Sequence, residues 1–74
     1  MRSWILAVVL LLPCLASAEK PEVKMRRHYE TGTRLFNVGE FDRAALEYRA
    51  AYELKPHPAL LYNIAQAYRN AKNT

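Results

Sequence analysis

The apolar positions divide the chain into one unbroken run and three amphipathic stretches. Trp4 to Leu12 is apolar throughout. From Met25 onward the apolar residues return at helical intervals instead. Met25, Tyr29, Gly32 and Phe36 recur at steps of three and four, and Leu35 widens their face. In the next stretch Phe41, Ala44, Ala45, Tyr48, Ala51 and Tyr52 fall within an arc of about 120° at the helical period. Asp42, Arg43, Glu47, Arg49 and Glu53 fall outside that arc, as on a surface helix with one buried stripe. In the third stretch Leu60, Leu61, Ile64, Ala65, Ala67, Tyr68 and Ala71 cover about 160°, wider than the arc of about 100° that one neighbouring surface needs.

The breakers between the stretches set their ends. The spacing predicts helices over about 22–37, 41–54 and 58–72, with no strand pattern anywhere, so the fold class is all-α. Glu19-Lys20-Pro21-Glu22 is polar and carries a proline, and residues 19–24 are expected to be a disordered linker. The link Asn37-Val38-Gly39-Glu40 is short, so the first two helices are expected to run antiparallel as a helical hairpin. Pro56 cannot continue the second helix and biases Lys55 towards an extended form. Pro58 suits a first helical position, which makes His57 an N-cap candidate. Gly32 in mid-helix costs roughly 1 kcal/mol relative to alanine. Its presence points to close backbone packing, expected against Ala44.

The hairpin then begins again. Tyr62 follows Tyr29 by 33 positions, Ala65 follows Gly32, and Tyr68 follows Leu35. Periods in the thirties mark stacked helix pairs. On these residues the segment from Met25 to Thr74 resembles the tetratricopeptide-repeat family. Gly32 and Ala65 match the small residue midway along the first helix of a repeat, and Leu35 and Tyr68 the large residue three places on. Gly39-Glu40-Phe41 matches the turn, and Ala44, Tyr48, Ala51 and Pro56 match the second helix and its closing proline. His28, Thr31 and Lys72 depart from the pattern, standing where the family prefers an aromatic, a leucine and a turn glycine. The resemblance implies an α-solenoid fragment, with one repeat over about 25–57 and part of a second over 58–74.

Before that segment lies the form of a secretory signal peptide, residues 1–18. Met1-Arg2-Ser3 is basic, Trp4 to Leu12 is apolar, and Ala16-Ser17-Ala18 is a small-x-small cleavage site. The apolar run is shorter than the ~20 residues of a membrane span. The expected destination is the periplasm or the exterior, after cleavage at Ala18. Cys14 is the only cysteine and lies inside this leader. Lipid attachment there would call for small residues before it, where Leu12 and Pro13 stand.

Net charge is +4, with both signs interspersed along helix faces. The pair Arg26-Arg27 is too short for a nucleic-acid arm, and no nucleic-acid partner is expected. Tyr48, Tyr52 and Tyr68 share stripes with alanines and Ile64, which reads as core packing rather than base stacking. Acids at Glu30, Glu40, Asp42, Glu47 and Glu53 interrupt any continuous basic face, against a membrane-active peptide. His28 and His57 have no metal-like partners on their own faces, and no nucleophile and base stand together. Gly32 and Gly39 are the only glycines, so no phosphate loop is present. No catalytic residue, metal or cofactor is expected.

A chain of this size buries only about 60% of its unfolded surface. Repeat arrays need about three repeats for stability. The chain is therefore expected to be the amino-terminal piece of a longer protein, or a truncated one. The third helix is expected to expose an apolar patch around Ala65, Tyr68 and Ala71 and to self-associate.

In the resembled family the first helices of successive repeats line a concave groove. The matching positions here are Arg26, Tyr29, Glu30, Thr33, Phe36 and Asn37, then Tyr62, Asn63, Gln66, Arg69 and Asn70. The resemblance implies docking of a protein or peptide partner in the cell envelope, by a non-enzymatic adaptor. Its alternative is the repeat region of a larger envelope enzyme or signalling protein whose working domain lies elsewhere.

Overall fold

The computed structural model describes residues 19–73; the expected leader, its expected cleavage site and Cys14 lie outside them. The described chain is three α-helices: α1 (Pro21–Asn37), α2 (Phe41–Leu54) and α3 (Pro58–Lys72). No described residue is in a strand. The helix α1 begins at Pro21, so the stretch expected to be a disordered linker is mostly helical. Proline suits the first turn because its missing N–H would have no partner there. Lys24 N–H donates to the Lys20 carbonyl at 3.0 Å, and Arg27 pairs with Glu19 at 2.7 Å across that turn.

A glycine stops α1. Gly39 has φ +85, the left-handed region that an L side chain rarely adopts. That conformation lets Glu40 N–H donate to the Leu35 carbonyl at 2.9 Å and Gly39 N–H to the Phe36 carbonyl at 3.1 Å. The pair of bonds closes the helix in a Schellman motif. The chain then re-enters as α2, with the Phe36 and Phe41 rings edge to face at 5.0 Å. Between α2 and α3, Lys55 is extended (φ −143, ψ 107) before Pro56. His57 holds the N-cap position of α3, but no side chain caps there.

The helix α2 is central, packed against α1 on one side and α3 on the other. Its stripe supplies most of the core: Ala44, Ala45, Tyr48 and Ala51 are buried, joined by Leu60 and Ala67 of α3. Met25, Leu35, Phe36, Tyr52 and Ile64 are half-buried against that cluster. The small α2 residues let both neighbours come close while the rings fill the flanks. At the α1–α2 seam Gly32 is buried. A Cβ placed there would meet the Tyr48 ring at 2.9 Å and the Ala44 carbonyl oxygen at 3.3 Å. The close approach expected with Ala44 is therefore shared, with Tyr48 the nearer neighbour.

Two polar contacts bridge the same seam. Thr33 Oγ1 and the Tyr48 hydroxyl are hydrogen-bonded at 3.0 Å, and His28 Nδ1 meets Glu47 Oε1 at 2.8 Å. Tyr68, read from its stripe as core packing, is 43% exposed, because no described element packs on its outer side; it and exposed Ala65 belong to the apolar patch expected on this helix, whereas Ala71 is half-buried. None of the helices among the described residues is long and apolar enough to cross a membrane.

Candidate functional site

Because α2 turns the chain back twice, α1 and α3 run in the same direction on either side of it. Their facing sides form an open cleft of about 360 Å³. Tyr29, Thr33 and Phe36 line it from α1, Tyr62, Asn63 and Gln66 from α3, and Tyr48 from α2. The steps of three and four along each helix place these side chains on one face. No charged residue lines this cleft.

The aromatic side of the cleft is fixed. The Tyr29 and Tyr48 rings lie 5.8 Å apart, tilted by 43°. Tyr48 is buried and its hydroxyl is bonded to Thr33. The amide side is free: Asn63 and Gln66 are half-buried, and neither side-chain amide is bonded to another group among the described residues. Unspent amides beside fixed rings can accept and donate hydrogen bonds to a guest.

The cleft continues towards the amino ends of α1 and α3. A neighbouring cleft of about 260 Å³ is lined by Met25, Tyr29, His57, Ala59, Leu60 and Asn63. Tyr29 and Asn63 belong to both, which makes one groove with a polar middle and an apolar end. Pattern reading did not include Met25, His57, Ala59 and Leu60 in the groove. They are brought together by the approach of two helix ends, and Leu60 carries the signature of a core residue, being only 3% exposed.

Arg69 and Asn70, named with the groove from their wheel positions, line neither cleft. Asn70 Nδ2 donates to the Gln66 carbonyl at 2.8 Å, which turns its amide back onto α3. Arg69 is exposed a turn beyond Gln66. Arg26, Glu30 and Asn37 are exposed and also stay out of both clefts.

At the surface Arg27 pairs with Glu19 and Arg43 with Glu40. Hydrogen bonding from Arg27 lowers the Glu19 carboxyl below its ordinary value of 4.5. No group of three or more His, Cys, Asp and Glu side chains is gathered among the described residues. Comparison with protein-family models, with curated proteins and with solved structures gives no match for this chain.

Proposed function

We propose that this chain is an exported helical-repeat segment that docks an extended peptide of a partner protein in the groove between α1 and α3. The supporting observation is the uncharged cleft, in which half-buried, unbonded Asn63 and Gln66 amides face Tyr29, Phe36 and Tyr48. An extended peptide offers backbone N–H and C=O groups that two amides can bond, and apolar side chains that rings can cover. The adjoining Met25–Leu60 cleft gives one such side chain a dry end. Docking breaks no bond, so the residues need only hold their places. Resemblance to tetratricopeptide repeats supports the reading through Gly32, Gly39, Ala44, Tyr48, Ala51 and Pro56. Export rests on Arg2, the Trp4–Leu12 run and Ala16-Ser17-Ala18. A different face of α3, carrying Leu61, Ala65 and Tyr68, supports contact with a second copy of the chain.

Panning a random peptide library against the chain tests the groove. Selected peptides are expected to bind the double variant Asn63→Ala, Gln66→Ala about tenfold more weakly, as two hydrogen bonds of about 0.5–1.5 kcal/mol each are lost. Leu46→Gln, on the outer face of α2 where Leu46 is exposed, is expected to leave binding unchanged. Undiminished binding to the double variant, or no selected binder, would overturn the groove reading.

A further inference from the structure

The chain has two methionines, Met1 and Met25, and one cysteine, Cys14, so Met25 holds the only sulfur between residues 19 and 74. Its side chain stands at the apolar end of the groove. Met25, Ala59 and Leu60 line that end together with Tyr29, His57 and Asn63, around a cleft of about 260 Å³. Met25 is half-buried and also packs against the core cluster. A thioether suits this place while it is reduced. It is apolar, flexible and polarizable, so it follows the shape of a guest side chain.

The same atom is open to two-electron oxidants that enter the cleft. The sulfur lone pair takes one oxygen from hydrogen peroxide: the O–O bond breaks, an S–O bond forms and water leaves. The sulfur is oxidised and the peroxide is reduced. The product, methionine sulfoxide, is polar and carries a hydrogen-bond acceptor where the thioether was apolar. In this cleft the change touches both features on which docking rests. The dry end gains an S–O dipole beside Ala59 and Leu60, whose side chains offer it no donor. Asn63 does have donors, lines the same cleft, and is bonded to no other group through its side-chain amide among the described residues. A sulfoxide oxygen therefore competes with a guest for the Asn63 N–H.

We propose that Met25 is a redox-modification site: peroxide converts it to the sulfoxide and lowers the groove's affinity for peptide, and reduction back to the thioether restores it. The proposal rests on the peptide-docking reading of the groove, and adds a chemical control of that site. No second sulfur is involved, so the response is confined to one side chain and one end of the groove. The step is reversible, because methionine sulfoxide reductases, drawing electrons from a dithiol, return each sulfoxide epimer to the thioether with release of water.

Peptides selected by panning on the untreated chain are the probe. The protein is recovered from expression of the full chain with its leader. Mass spectrometry reads its amino-terminus and the oxygen gained at Met25, and circular dichroism checks helix content. After dilute hydrogen peroxide the chain is expected to bind these peptides about tenfold more weakly, the scale of one lost hydrogen bond and some apolar contact. The two reductases together are expected to restore binding. Met25→Leu has an affinity of its own, which peroxide is expected to leave where it was. Met25 that resists peroxide in the folded chain, undiminished binding once it is oxidised, or an equal loss in treated Met25→Leu would overturn the switch and leave the groove reading standing. Loss of helix content on oxidation would place the effect in the fold and overturn the switch in the same way. The absence of any selected binder would overturn both.

Discussion

Gly32 and Ala65 occupy the same place in the repeating pattern, yet they sit in opposite surroundings. Gly32 is buried on α1, with the Tyr48 ring and the Ala44 carbonyl so close that a methyl group would collide. Ala65 is exposed on α3. The difference lies in the neighbour that each helix meets next along the chain. The next helix after α1 is α2, whose alanines come in against Gly32. After α3 no further helix is described. A small residue on a helix face therefore marks where a neighbour can approach, and tertiary structure decides whether one does.

The largest expected break in this comparison is Gly32→Leu. The substitution gains helix propensity of under about 1 kcal/mol, but drives a side chain into the Tyr48 ring at a cost of about 1–3 kcal/mol or more. Net destabilisation is expected in thermal melts. Ala65→Leu, at the matching position, is expected to shift stability by no more than about 0.5 kcal/mol. Equal effects would dissolve the contrast.

A somewhat smaller loss is expected at the turn that creates the α1–α2 seam. Gly39→Ala leaves the space around it open but keeps φ at +85, which costs about 1–2 kcal/mol for an L residue. Denaturant unfolding would show the loss as a lowered midpoint with an unchanged slope.

The smallest effect sharpens the account of α1's beginning. Glu19 should titrate below 4.5 by NMR, and Arg27→Gln should raise it by removing the hydrogen bond that lowers it most. A carboxyl lowered in the folded state contributes stability above its unfolded value and loses it as the pH falls through the folded value. Both side chains are solvent-exposed, so the influence on melting should vanish in high salt. Unchanged Glu19 titration in Arg27→Gln would mean that the pair does not form in solution.

The helices themselves were legible from the chain. The breakers Gly39, Pro56 and Pro58 act through local backbone geometry, and the observed ends match the expected ones except that α1 begins at Pro21. The α2 stripe was legible because a helix with neighbours on both sides buries nearly all its apolar arc. The groove was legible only in part. Tyr29, Thr33, Phe36, Tyr62, Asn63 and Gln66 do meet around one cleft, whereas Arg69 and Asn70 stay out of it. A helical wheel gives direction around an axis but not whether another element stands opposite. The His28–Glu47 contact was also hidden, because its partners lie on different helices, 19 positions apart.

What the sequence alone determined is thus local: three helices, their ends and the face each turns inward. These arise from backbone preferences and the 3.6-residue period, which act over a few residues. Only tertiary structure decided that Tyr48 rather than Ala44 lies nearest Gly32. It alone showed that Met25 and Leu60 extend the groove, and that Leu61, Ala65 and Tyr68 remain open to solvent. Each of these depends on how closely two helices approach. That distance is set by side chains packing across a seam, and no period along a single stretch of sequence contains it.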